Sequence, residues 1–200
     1  MSKKAMILAA GKGERLRPLT STIPKPMIDV CGKPIMGHLI ELLHAYDYEV
    51  MANVHYLPDS IVDYFGDKVI FSHERELLGS AGAIKKVGKW LGEDFVVMNG
   101  DTLTNIDLHD MMGSHKKGGC IATIFTKNTT THNGGTIIFN KKILDYIPSR
   151  KPYTVQFDLL PDLARRKVSV NLYRSNAYYF DIANIERLEK ARRYYEKMAY

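Results

Sequence analysis

Met6-Ile-Leu-Ala-Ala-Gly-Lys-Gly-Glu-Arg-Leu-Arg-Pro-Leu-Thr20, with Pro24-Lys25-Pro26-Met27 close behind, decides the fold of this chain. The apolar run Ala5–Ala9 has no polar alternation, as expected of a short strand buried on both faces. It passes directly into a glycine loop, and Lys12, Arg15, Arg17 and Lys25 come next. Cations and a donor-rich backbone therefore collect at the carboxyl end of a central strand, the edge at which open α/β sheets bind ligands. Exposed backbone N–H groups and full positive charges suit a polyphosphate.

Working outward, apolar strands alternate with helix-period segments. Pro34–Tyr46 carries Ile35, Leu39, Leu42, Leu43 and Tyr46 on one helical face. Glu49–Val54 is the next strand, Asp59–Phe65 a short helix and Lys68–Ser72 a third strand. Gly79–Leu91 is helical and leads to the buried strand Phe95–Met98, which ends in Asn99-Gly100-Asp101. Alternation of this kind predicts βαβ units and a mostly parallel sheet in an α/β fold. Beyond Leu108 the order is less regular. Helices are expected at Leu108–His115, Asp158–Arg166 (capped by Asp158) and Asn184–Tyr195, with a helical turn at Lys141–Tyr146. Strands are expected at Cys120–Thr126, Thr136–Phe139, Val168–Tyr173 and Tyr178–Asp181, some of them antiparallel, and Asn128–Asn133 reads as a polar turn. No repeat or linker divides the chain, so residues 1–200 are expected to form one domain.

Composition narrows the class. Hydrophobic residues at 45% and charged residues at 25% are those of a globular chain. The net charge of +6 fits handling of phosphorylated small molecules as well as nucleic acid, but no aromatic–basic interleaving marks a nucleic-acid module. Arg187, Lys190, Arg192, Arg193 and Lys197 alternate with Leu188, Ala191 and Tyr195 at helical spacing, as on a solvated helix face. Cys31 and Cys120 are too far apart in sequence to suggest a ligand pair. With no signal-like segment after Met1 and no long apolar span, a soluble, cytoplasmic protein with no membrane partner is expected. A homo-oligomer is compatible with the sequence.

The glycine loop does not match two common nucleotide fingerprints. The dinucleotide pattern needs a third glycine where Leu16 stands, and an acid at the end of the second strand, which instead reads Asn53-Val54-His55. The ATPase loop needs Gly-Lys-Ser/Thr, which is absent. Asp101 ends one apolar strand and Asp181 another. Each either caps the next element or contributes a carboxylate to a divalent cation bridging phosphate oxygens. Glu74 is either solvent-exposed or part of a ligand wall, and Ser80, within Gly79-Ser80-Ala81-Gly82, can cap a helix. No Ser/His/Asp arrangement or histidine ligand spacing is present, so covalent catalysis is not indicated.

Together these segments resemble the sugar nucleotidyltransferases, or NDP-sugar pyrophosphorylases. The resemblance runs through Leu8–Leu16 with Pro18-Leu19-Thr20, Pro24–Met27, Glu74–Ala83, Asn99–Asp101 and Phe180-Asp181-Ile182. Ser72-His73-Glu74 leading to Leu78–Gly82 is similar to the mannose or heptose 1-phosphate guanylyltransferases. The resemblance implies a three-layer α/β/α Rossmann-like fold and a reaction joining an NTP to a sugar 1-phosphate with release of pyrophosphate. The sugar phosphate attacks the α-phosphorus directly. It further implies that Arg15 and Lys25 act on the phosphates and that Asp101 and Asp181 hold Mg²⁺. Leu8, Ala9, Ala10, Gly11, Gly13, Glu74, Gly79 and Ser80 would bind the nucleotide, and Asn99, Asn133 and Gly135 the sugar phosphate.

The family places Glu74 and Gly79 against the base. An ionised carboxylate only accepts hydrogen bonds, which suits the two adjacent donors of guanine better than the single donor of uracil. GTP is therefore expected, with UTP next. The chain departs from the family between Lys127 and Thr136, where a segment containing a Glu-Lys-Pro motif is replaced by Asn128-Thr-Thr-Thr-His-Asn133. This implies a more open acceptor pocket, with Lys127 the candidate for the missing cation. Such a pocket also suits a small phosphate or phosphonate such as phosphocholine, paired with CTP. A non-catalytic regulatory relative is a third reading, against which stands the retention of Arg15, Lys25, Asp101 and Asp181 together.

Overall fold

The structure is a computed structural model that describes residues 2–128, 133–149 and 152–198. In chain order, β1 (Lys3–Leu8) leads through the glycine loop to a small hairpin, β2 (Asp29–Val30) and β3 (Lys33–Pro34), and to helix α1 (Ile35–Ala45). Then come β4 (Tyr48–Val54), α2 (Pro58–Phe65), β5 (Ile70–His73), α3 (Gly79–Lys86), β6 (Asp94–Asn99), β7 (Thr102–Thr104) and α4 (Leu108–Gly118). The second half holds β8 (Ala122–Lys127), β9 (Asn133–Asn140), α5 (Leu160–Arg165), β10 (Val170–Ser175), β11 (Tyr179–Asp181) and α6 (Ile185–Met198).

Seven strands form one sheet in the order β10-β8-β9-β6-β1-β4-β5. β1 lies parallel between β4 and β6, β4 is parallel to β5, and β8 to β10, whereas β9 runs antiparallel to both β6 and β8. The glycine loop thus leaves from an interior strand. Alternation along the central strands supplies two cores. Ala5, Ile7, Val50, Ala52, Val96 and Met98 pack under α1, α2 and α4. Met6, Met51, Phe95, Val97, Ile137 and Phe139 pack under α3 and α5. A three-layer α/β/α arrangement results, with Phe95, Phe125 and Phe139 fully buried. A third cluster, including Leu16, Ile28, Leu103, Ile182 and Leu188, seats α6 beside the glycine loop.

Several local expectations need correction. The α-helix opening at Gly79 ends at Lys86 rather than Leu91: the chain tightens there into a turn in which Gly88 N–H donates to Lys85 O at 3.2 Å, and Gly88 and Gly92 are poor helix formers. Before α5 the chain makes a wide π-turn over Val155–Leu159. Asp158 does not cap it: Thr154 caps from outside by accepting from Phe157 N–H, while Asp158 reaches back to accept from Thr154 N–H at 2.8 Å. Asp101 caps no helix, since the short strand β7 comes directly after it and α4 is capped by Asp107. Asn184 plays the capping role at α6, accepting from Arg187 N–H at 2.9 Å. The polar turn expected at Asn128–Asn133 falls mostly on residues 129–132, outside the described residues.

Candidate active site

The ends of β1, β4, β5 and β6 build a cleft of about 530 Å³, lined by Leu8 to Gly11, Lys25, Asn53, Glu74, Gly79, Ser80, Asn99 to Asp101, Asn133, Gly135 and the Thr154–Phe157 turn. A second hollow of about 590 Å³ adjoins it, lined by Gly11 to Leu16, Lys25, Asp101 and Ala183. Gly11, Lys25, Leu77 and Asp101 line both. Most residues expected from the sequence are therefore brought to one edge, with Arg15 and Gly13 in the second hollow and Glu74, Gly79 and Asn99 in the first.

The glycine loop takes its shape from a few contacts. Gly13 has φ +64°, a left-handed conformation that favours glycine, and its carbonyl accepts from Thr20 Oγ1 at 2.8 Å and from Leu16 N–H at 2.9 Å. The N–H groups of Ala10, Gly11, Lys12 and Gly13 enter no backbone hydrogen bond among the described residues. An open run of donors flanked by Lys12, Arg15 and Lys25 is a ready anion cradle. Gly100 lets β6 pass close to β1: its N–H donates to Leu8 O at 2.9 Å, and a Cβ there would meet that oxygen at 2.7 Å.

Lys25 is 8% exposed and its ammonium pairs with Asp101 Oδ2. Asp181 reaches the same neighbourhood through pairing of β11 with β7, where Asp181 stands opposite Thr102 and Ile182 N–H donates to Asp101 O at 2.9 Å. Its Oδ2 accepts from Arg187 at 2.8 Å. No group of three or more His, Cys, Asp or Glu side chains suited to a metal exists among the described residues. Two hard carboxylates on adjacent strand ends are the donor set available to a cation here.

Glu74 is not solvent-exposed: it is 6% accessible, with Oε1 accepting from Asn53 Nδ2 at 2.7 Å and Oε2 from Leu78 N–H at 3.1 Å. Ser80 does not cap α3. Its hydroxyl accepts from Val155 N–H at 2.8 Å and so ties the turn at Val155–Leu159 to the helix. Tyr153 fastens the same junction, with its carbonyl accepting from Ala81 and Gly82 N–H. Asn133 Oδ1 accepts from Gly135 N–H at 2.9 Å, and both residues line the cleft. Lys127 does not: its ammonium sits 5.4 Å from the centre of the Tyr179 ring.

Asn53 and the turn bearing Gln156 and Phe157 are cleft residues that no motif announced. Asn53 did leave a signal, an amide as the penultimate residue of the otherwise apolar stretch Val50–Val54. Phe157, 77% exposed, left none, because its wall position depends on the tertiary clasp between Ser80 and Val155.

Fold and cleft together define a Rossmann-like α/β protein with a donor-rich, cation-flanked glycine loop at the carboxyl edge of its sheet. The chain belongs to the nucleotidyl transferase family, whose model matches residues 4–134. It is 37% identical to a UTP–glucose-1-phosphate uridylyltransferase of Synechocystis sp., over 80% of this chain and 55% of the relative. It is 47% identical to the N-acetylmuramate alpha-1-phosphate uridylyltransferase of Neisseria meningitidis serogroup B, over 52% of this chain and 49% of the relative. The chain spans about half the length of the curated relatives it matches. HddC from Yersinia pseudotuberculosis, solved in complex with GMP-PN, superposes with a TM-score of 0.81 at 28% identity, covering 98% of this chain and 100% of HddC. No helix among the described residues is long and apolar enough to cross a membrane.

Proposed function

We propose that the chain transfers a nucleotidyl group from an NTP to a sugar 1-phosphate, releasing pyrophosphate and forming an NDP-sugar. The observation that carries this reading is the position of Lys25 and Asp101. They line both the hollow formed by the glycine loop and the cleft containing Glu74, Asn99 and Asn133. Triphosphate in the glycine-loop hollow and acceptor phosphate in the cleft would meet beside the Lys25 ammonium.

In this reading Arg15, Lys12 and the open N–H groups of the glycine loop hold the β- and γ-phosphates and take up the charge that develops on departing pyrophosphate. Lys25 neutralises the α-phosphate and the incoming sugar phosphate. An acceptor oxygen then forms the new bond to the α-phosphorus as the bond to pyrophosphate breaks, with no covalent protein intermediate. Such transfer depends on positioning and preorganised charge rather than on a nucleophilic side chain. Asn99, Asn133 and Gly135 would bound the acceptor. Asp101 and Asp181 would hold Mg²⁺, a cation that takes one or two carboxylates and completes its shell with water and phosphate oxygens. When bound, it would supply charge neutralisation on the phosphates.

The nucleotide is GTP in this reading, supported by the buried carboxylate of Glu74 in the cleft wall and by the likeness to HddC with GMP-PN. UTP is the second reading, favoured by the two uridylyltransferase relatives. A pyrophosphate-release screen of GTP, UTP, CTP and ATP against sugar 1-phosphates and phosphocholine tests both. Release only when a sugar 1-phosphate is present, fastest with GTP, is expected. Turnover confined to CTP with phosphocholine, or no turnover with any pair, contradicts the proposal, and a faster rate with UTP overturns the choice of base.

A further inference from the structure

Asn53 does something its position on a buried strand does not require. In the parallel ladders it stands opposite Leu8 of β1 and Ser72 of β5, one residue short of Ala9 and two short of Glu74. On the β1 side the backbone ladder ends at this pair and side-chain pairing takes over, while on the β5 side Glu74 N–H still donates to Val54 O at 2.9 Å. Ala9 N–H, the first donor of the glycine loop, goes to Asn53 Oδ1 at 3.0 Å. Asn53 Nδ2 donates to Glu74 Oε1 at 2.7 Å, and Leu78 N–H closes the run on Glu74 Oε2 at 3.1 Å. Asn53 and Glu74 are 4% and 6% exposed, yet both line the cleft.

A primary amide offers an acceptor and a donor together on one short, planar group at any working pH, which a carboxylate does not. An ionised carboxylate has about four acceptor sites, and Asn53 and Leu78 occupy two. No other partner among the described residues takes the remaining sites, which leaves them for a ligand, and the group can no longer turn without breaking a buried, charge-assisted hydrogen bond. We infer that Asn53 is the positioning residue for nucleobase selection: it locks the Glu74 carboxylate in the cleft wall and couples it to the start of the phosphate loop. The inference rests on the proposal that Glu74 reads the base. It adds that selectivity belongs to the Asn53–Glu74 pair rather than to Glu74 alone.

The replacement Asn53→Asp tests it, because the shape is kept while the donor toward Glu74 is lost and a like charge is placed beside it. At pH 8 the ratio of kcat/KM for GTP to that for UTP should move toward parity by about tenfold or more, the size of one mispaired charged hydrogen bond. Lowering the pH to 6 should restore part of the ratio, since a protonated carboxylic acid donates again. A merely structural role would lower the melting temperature without a pH-dependent change in the ratio. Glu74→Gln, measured alongside, separates the two ideas. If Glu74→Gln shifts the ratio and Asn53→Asp does not, the inference fails and the base-reading proposal stands. If neither shifts it in a protein that turns over, both fail. Should Asn53→Asp not fold, Asn53→Ser, too short to reach both partners, must show the same loss of preference, and an unchanged ratio overturns the inference.

Discussion

The Lys25 ammonium is paired with the Asp101 carboxylate at the junction of the two hollows, and Lys25 is the more buried partner. Substrate phosphates entering the cleft would compete with Asp101 for that ammonium. Lys25→Met should therefore lower kcat/KM for nucleotidyl transfer by about 10²–10³-fold, the cost of removing one preorganised charged donor. Stability should fall by about 1–3 kcal/mol, because a mostly buried pair is broken while Asp101 stays partly solvated. Steady-state kinetics with a urea denaturation curve on the same preparation checks both halves.

Asp101 and Asp181 come together through the β7–β11 pairing, although 80 positions separate them in the sequence. In the proposed site both bind the cation. Asp101→Asn and Asp181→Asn should each raise the Mg²⁺ concentration for half-maximal rate by roughly tenfold or more, and chelation by EDTA should abolish wild-type turnover. A magnesium titration of the initial rate reads this. An unchanged midpoint in both variants would remove these aspartates from the metal site.

Two glycines in the cleft wall should respond in opposite ways. Gly79 has φ +73°, and a Cβ there would lie 2.6 Å from Tyr153 O, a backbone atom that cannot give way. Gly79→Ala should cost on the order of 2–4 kcal/mol and lower the melting temperature by roughly 5–10 °C. Gly11 has open space at its Cβ position. Gly11→Ala should leave the melting temperature within about 1–2 °C while raising KM for the NTP, because the added methyl stands in the loop through which phosphates approach.

The first half of the chain was legible because most of its strands are built around short apolar runs and its helices carry one apolar face. The order β1-α1-β4-α2-β5-α3-β6 arises from local patterning alone. The gathering of the glycine loop and the strand ends at one edge was equally readable, since strand ends in a parallel sheet share that edge. The features that local pattern could not reveal depend on long-range pairing. The hairpin β2–β3 and strand β7 are two or three residues long, too short for a period. The wide turn at Val155 exists because Ser80, 75 positions earlier, accepts its N–H. The buried carboxylate of Glu74 likewise finds its partner in Asn53, a neighbour only through the pairing of β4 with β5.

His115 offers a pH test of the fold away from the cleft. It is 2% exposed between Thr123 Oγ1 at 2.8 Å and Asp94 Oδ1 at 3.4 Å, and burial outweighs Asp94 to hold its pKa below the ordinary 6.5. The unfolded chain then takes up a proton that the folded one resists. The contribution to stability is present above pH 6.5 and is lost as the pH falls below it, by up to about 1.4 kcal/mol per pH unit. Urea midpoints at pH 7.5 and 5.5 should show this slope in the wild type and a shallower one in His115→Gln.

Lys127 stands over the Tyr179 ring and outside the cleft lining. For it to replace the cation of the missing Glu-Lys-Pro segment, it would have to leave that ring. Lys127→Ala should therefore change KM for the sugar 1-phosphate by less than about twofold, since the half-buried cation–π contact it loses contributes about 0.5–2 kcal/mol to local packing and nothing to the cleft. A rise well beyond that would place Lys127 on the acceptor after all.

Exchange of labelled pyrophosphate into GTP tests the central claim most directly. Direct transfer between two bound substrates predicts no exchange with GTP and Mg²⁺ alone, and exchange as soon as a sugar 1-phosphate is added. Exchange without acceptor would reveal a covalent nucleotidyl intermediate, and no exchange with any NTP and sugar 1-phosphate would contradict nucleotidyl transfer altogether.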